Sequence, residues 1–389
     1  MRVWVVLLAL FAHAAAAAPY LPSGDAVVLE RLPVRPGDPV AAELRRLRAA
    51  VTAAPADPSA AASLARRYFD LAVAEGDARY VGYAEGALRP WYGSANPHAE
   101  VLMLRALLRQ YRHDFRGALE DLAAAAERNP GDPEPHAWRA AIFMVVAEYP
   151  AARRECVLLA ELSSELHATG CAAHVDATTG NARPAYDALA ASLARNPQAS
   201  AGLRLWVLTR LAETAARLEN PAAARRHYRD ALALGVIDNY LLAAYADFLL
   251  EQDRPAEVVA LLKDRTRSDT LLLRLALAEQ RLRAPGAAEL VRILGERFTD
   301  AARRGERLHL QEEARYLLRL RGDAHAALAA AGENWKSQRE PRDAAVLLEA
   351  ALAAGDSQAA APVLEWLDAS GFESRKLKQL ADALKALVR

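Results

Sequence analysis

Small residues recur along this chain at helical spacing. Ala84, Ala118, Ala152, Ala185, Ala224 and Val258 follow one another at steps of 34, 34, 33, 39 and 34 residues. Four positions beyond each stands a larger group: Leu88, Leu122, Cys156, Leu189, Tyr228 and Leu262. Residues i and i+4 share one face of an α-helix, so each pair marks the buried stripe of one helix. A few residues upstream lie breakers and caps, namely Gly76-Asp77, His113-Asp114, Gly180-Asn181 and Glu219-Asn220. Pro150, Pro184, Pro221 and Pro255 then fall in a first helical turn, where a missing N–H costs nothing and a fixed φ favours helix entry. Each unit predicts helix, short turn, helix, and the Ala after the turn lets the two helices touch.

A period of 34 residues with these columns resembles the tetratricopeptide repeat (TPR). The clearest copy is residues 99–130, with Leu102, Ala106, Ala118, Leu122, Ala125 and Pro130 at the signature columns; it departs from the pattern at Arg109 and His113. Residues 132–165 fit through Ala140, Phe143, Ala152, Cys156 and Leu159, and residues 205–236 through Leu208, Leu211, Ala212, Ala224, Tyr228 and Ala231. Farther on, Ala288, Ala327 and Ala360 are the expected equivalents, with Gly322-Asp323 and Gly355-Asp356 as turns. The resemblance implies an all-α solenoid, a right-handed superhelix of about nine helical hairpins over residues 39–372. Residues 373–389 then supply a capping helix, with Leu377, Leu380, Leu384 and Leu387 on one stripe covering the last apolar face.

Stacked hairpins present their first helices to a concave surface that suits extended peptides or partner helices. Carried onto this sequence, the family's groove columns hold Met103, Leu107 and Gln110, then Glu134, Ala137 and Met144, then His167 and His174, then Trp206, Thr209 and Glu213. Trp206 has two readings, a partner-binding side chain or a ring packed between repeats.

The amino terminus changes the picture of where the protein works. Residues 1–18, MRVWVVLLALFAHAAAAA, carry one Arg, an apolar run and small residues, which is the layout of a secretory signal peptide cleaved after Ala17 or Ala18. An uncleaved anchor is the alternative, although the apolar run falls short of the roughly 20 residues that span a bilayer. Export to the periplasm or medium is the expectation. Residues 19–38 are rich in proline and read as a flexible leader, a strap across the first repeats, or a short strand for a partner. The first helix is expected from Val40 to about Ala53.

Composition supports helices: 53% of the chain is hydrophobic, only 6% is aromatic, and Ala, the best helix former, is abundant. Its 49 basic residues balance 49 acidic ones, so no global field draws nucleic acid or an anionic membrane. Cys156 and Cys171 are the only cysteines. They are equidistant from a turn at Ser163-Ser164, which brings them side by side in a hairpin, whereas the repeat register buries the first and turns the second towards the groove. Both a disulfide and a pair of buried thiols stand open, the disulfide favoured by an oxidising compartment. His167, Cys171 and His174 share one helical face at i, i+4 and i+7, a spacing that could hold zinc or copper. That metal or small-ligand module is the alternative to a scaffold, and a disulfide would exclude it. No GxSxG, HExxH, phosphate loop or paired CxxC occurs, and the acidic residues read as solvated partners of Arg and Lys along helices. The expectation is an exported bacterial scaffold for a protein or peptide partner, without enzymatic activity or cofactor.

Overall fold

The computed structural model describes residues 37–306 and 308–387, together with Gly24 and Val27. The segment expected as a signal peptide, residues 1–18, and nearly all of the leader, residues 19–38, lie outside the described residues. The chain divides into two units, residues 1–46 and 47–389. In the first, Asp38 Oδ1 accepts from the N–H groups of Val40 and Ala41 at 2.9 and 3.2 Å, satisfying donors left open at the start of α1 (Pro39–Ala53).

Among the described residues of the second unit there are helices and no strands. They pair as nine hairpins. The first four are α2 (Pro58–Glu75) with α3 (Arg79–Leu88), α4 (Ala99–Tyr111) with α5 (Phe115–Arg128), α6 (Glu134–Val145) with α7 (Tyr149–Leu162), and α8 (Glu165–Thr178) with α9 (Ala182–Arg195). Then come α10 (Ala201–Arg217) with α11 (Pro221–Leu232), α12 (Asn239–Glu251) with α13 (Pro255–Leu262), and α14 (Asp269–Arg281) with α15 (Ala287–Arg303). The last two are α16 (Leu310–Tyr316) with α17 (Ala324–Trp335) and α18 (Pro341–Ala354) with α19 (Ala361–Ser370), followed by the capping helix α20 (Arg375–Leu387). A π-helical turn over Leu317–Arg321 extends α16. Neighbours touch in order: α2 meets α4, α5 meets α6, and from α6 onward each first helix meets the next, as far as α18. This is the expected all-α solenoid of hairpins with a terminal cap.

The turn inside every hairpin carries one residue in the left-handed region: Gly76, His113, Ala147, Gly180, Glu219, Asp253, Arg283, Gly322 and Gly355. A left-handed residue just past a helix end reverses the chain while its N–H still reaches a helical carbonyl. Five of the nine are not glycine, and a side chain there costs roughly 1–2 kcal/mol. Arg283, exposed at φ 53°, shows the consequence. Arg283→Gly is expected to raise stability by about 0.5–1 kcal/mol after the extra freedom of glycine in the unfolded chain is subtracted. Urea titration of the two proteins measures it.

Second helices start on caps. Asp114, Asn220 and Asp323 accept from the N–H of Gly117, Ala223 and Ala326 respectively. All twelve residues of the two sequence columns are buried, as are Ala327 and Ala360. Ala288 is the exception and stands exposed. Pro285 and Gly286 delay α15 until Ala287, so Leu294 and Phe298 make its buried contact instead. On α20 the buried stripe is Leu377, Ala381 and Leu384, while Leu387, the last residue of the helix, is exposed.

The last elements also reach back across the second unit. Segment 338–376 runs along the intra-hairpin turns of the second to sixth hairpins, in order. Gln338 meets the His113 ring at 3.4 Å, the Arg339 N–H donates to the Val145 carbonyl at 2.8 Å, and Trp366 Nε1 donates to the Tyr149 hydroxyl at 2.7 Å. Glu373 Oε2 accepts from the Ala182 N–H at 2.7 Å, Arg375 pairs with Glu219 at 2.6 Å, and Lys376 with Glu251 at 3.1 Å. A Cβ on Gly180 would lie 3.2 Å from the Gly371 carbonyl oxygen, so two glycines meet where the turns cross.

This crossing leaves His113 half-buried, and its ring also stacks on Phe115 with centroids 5.5 Å apart. Burial, helped by nearby His309, pulls its pKa down from 6.5 to about 4. His113 therefore stays neutral in the fold at a pH where the unfolded chain takes up a proton. Its contribution is complete above about pH 6.5 and is lost as pH falls towards about 4, a change of about 1–3 kcal/mol after discounting for partial exposure. His113→Asn, which tolerates the left-handed turn, is expected to shrink the difference in urea midpoint between pH 7 and pH 4.5.

Candidate functional site

The first helices line a half-open pocket of about 770 Å³. α8, α10, α12, α14 and α16 form its wall, and α18 and α20 bring the C-terminal region over it. Charged residues, and Tyr240 with them, reach it because they repeat at helical spacing on one face: Arg210, Glu213 and Arg217 on α10, Tyr240, Asp247 and Glu251 on α12, Arg274 and Arg281 on α14, Arg315 and Arg319 on α16 and its extension.

Asp247 ties three helices together. Its carboxylate accepts from Arg274 Nη2 at 2.7 Å and from Arg315 Nη2 at 2.8 Å. Arg274 is 1% exposed, donates also to the Thr270 carbonyl at 2.8 Å, and lies 3.6 Å from Glu312. Burial alone lifts the Asp247 carboxyl, but the two guanidiniums outweigh it and hold it well below the usual carboxylate range.

Two turns earlier on α12, the Tyr240 ring lies under the guanidiniums of Arg210 and Arg342, 4.7 and 5.3 Å from its centroid, and its hydroxyl donates to Glu213 at 2.7 Å. Glu213 also pairs with Arg210 at 3.2 Å, and Glu340 with Arg342 at 2.7 Å. Glu349 takes both Arg319 and Lys376. Arg217 lies 4.4 Å from the Phe372 ring centroid and donates to the Ala177 carbonyl at 2.9 Å. Burial lowers its pKa to about 10.

The residues expected on an open groove are placed differently. Met103, Leu107, Met144 and Thr209 are buried in helix packing, and the Thr209 hydroxyl donates to the Leu205 carbonyl. Gln110 and Ala137 are half-buried, and Glu134 is held by both nitrogens of Arg66 at 2.8 and 2.9 Å. Trp206 packs between repeats: its ring fills the space beside Gly170, where a Cβ would lie 2.3 Å from Cζ3, and meets the His167 ring edge-on at 6.1 Å. His174 and Glu213 line the pocket.

Cys156 and Cys171 form a disulfide joining α7 to α8, with Cα atoms 5.5 Å apart. Cys171 is thereby removed from the proposed His167/Cys171/His174 ligand set, and among the described residues no group of three His, Cys, Asp or Glu side chains is placed to hold a metal ion. Sequence reasoning also missed ion pairs within hairpins. Asp121 receives Arg105 and Arg109, and one repeat later Glu155 receives Arg139 and His136. Both carboxylates are buried, so these acids hold helices together and are not solvated partners along one helix. No described helix is long and apolar enough to cross a membrane.

No protein-family model matches the chain, and no curated protein does so. Among solved structures it is similar to a tetratricopeptide repeat protein from Parabacteroides merdae, at 12% identity and a TM-score of 0.36, over 74% of this chain and 98% of that one. Yeast Tom70 is similar at 12% identity and a TM-score of 0.33, over 90% of this chain and 93% of that one. Naa15/Naa10 bound to HypK-THB gives 16% identity and a TM-score of 0.31, over 90% of this chain and 57% of that one.

Proposed function

We propose that this protein is an exported, non-enzymatic adaptor of the bacterial cell envelope that holds a protein or peptide partner against its stacked hairpins. The observation that carries the reading is the unbroken succession of nine hairpins, a design that multiplies surface. Most charged side chains that the first helices turn to the pocket pair with one another and fix helix positions, which suits a binding frame. The disulfide supports an oxidising compartment, as does the layout of residues 1–18.

The test is expression of the full gene with a C-terminal tag in a Gram-negative bacterium, followed by fractionation and N-terminal sequencing. Recovery from the periplasm or medium with a terminus at residue 18 or 19 is expected. Retention in the cytoplasm with residues 1–18 intact defeats the envelope reading. Gentle cross-linking in the native envelope should give a stoichiometric protein adduct, and its absence defeats the adaptor reading.

A further inference from the structure

The pocket wall carries more positive than negative charge, and the surplus belongs to particular side chains. Nine of its residues are Arg or Lys and six are Asp or Glu. Each of the six carboxylates is already matched by one or two cations, in the pairs described above. Arg217, half-buried, and Arg281, exposed, are left over: among the described residues neither has a carboxylate at ion-pair distance, and each gives an N–H to a backbone carbonyl, of Ala177 at 2.9 Å and of Leu250 at 2.5 Å. Arg210 Nε is buried with no hydrogen-bond partner. Arg210 and Arg217 stand two turns apart on α10, and both act on the ring of His174 across from them on α8, which burial keeps neutral.

A guanidinium without an ion-pair partner, set in a half-open wall whose cations outnumber its carboxylates, draws an anion. The volume suits a small organic molecule, and Tyr240 and Phe372 supply aromatic faces beside the arginines. We infer that this pocket binds a small organic anion bearing carboxylate or phosphate groups, gripped by Arg217 and Arg281, with its carbon frame against Tyr240 and Phe372. This goes beyond the adaptor reading and does not depend on it.

The experiment is calorimetric titration of the full-length protein with inorganic pyrophosphate and with citrate, beside glycerol and sodium chloride at matched ionic strength. Saturable one-to-one binding with a Kd below about 1 mM is expected for at least one anion, and none for the controls. Response to pyrophosphate alone assigns phosphate, and response to citrate alone assigns carboxylate. The double variant Arg217→Met/Arg281→Met, checked for helical content, is expected to weaken binding at least tenfold. Independently of any variant, hydrogen exchange of the unmodified protein should slow in peptides spanning residues 201–217 and 269–281 when the bound anion is added. The inference is overturned by absence of saturable binding, by undiminished binding in a folded double variant, or by protection that appears only elsewhere.

Discussion

Asp247→Ala is expected to lower the unfolding free energy by about 3–5 kcal/mol, the cost of stripping a buried ion pair of one partner. The size follows from what is left behind. Arg274 is almost fully buried and Arg315 shares the same carboxylate, so the variant strands two guanidiniums close together with no charge between them. The Glu312 carboxylate, 3.6 Å from Arg274, offsets part of the loss. Asp247→Asn keeps the shape and loses the charge, and should cost nearly as much. A variant in which Asp247, Arg274 and Arg315 become Leu, Met and Met should recover much of the deficit, since apolar groups of similar volume often replace a buried ion pair without loss. Urea unfolding followed by circular dichroism reads all three. A deficit below about 1 kcal/mol in Asp247→Ala would show that the triad is inert. The sign with pH is also fixed: the folded carboxyl is depressed below its unfolded value of 3.8, so this contribution is present above about pH 4 and drains away as pH falls through the folded value.

Reducing the Cys156–Cys171 disulfide is expected to cost about 3 kcal/mol, the loop-closure value for a separation of 15 residues. Both sulfurs lie in a small core that also contains Ala140, Met144, Ala152, Leu159 and Val175, so the bond fastens the third hairpin to the fourth. The reduced protein should still fold, because Cys156 and Cys171 remain small buried groups in that core. Comparing urea midpoints of oxidised and reduced protein gives the number, and Cys156→Ala/Cys171→Ala should match the reduced form. Equal midpoints would mean that neighbouring contacts already hold the two hairpins at this geometry.

The hairpins were legible because their signals are local. A proline in the first turn, a small residue facing the partner helix and a breaker before them act within one unit, and the columns from Ala84 to Leu262 are buried as expected. Ala288 broke the rhythm because Pro285-Gly286 moved a helix start, which spacing alone did not register. The pocket was harder to read. Arg210, Arg217, Asp247, Arg274 and Arg315 do fall on one face of their helices, and that periodicity was visible. Periodicity identifies a face but not what covers it. A polar face reads as solvated, whereas the chain closes over these through contacts between residues more than a hundred positions apart, such as Glu373 with Ala182. Of the groove columns, His174 and Glu213 line the pocket, while Met103, Leu107, Met144 and Thr209 are buried in helix packing.

The return of segment 338–376 along the turns of earlier hairpins alters how this protein can come apart. A linear array frays from its ends one repeat at a time, since each repeat knows only its neighbours. Here the carboxyl end is latched at Tyr149, Ala182, Glu219 and Glu251. Peeling it away therefore loosens the middle of the molecule in the same event, so the terminal repeats and the central ones should melt as one cooperative block, and a nascent chain lacking its last fifty residues would leave that block unfastened.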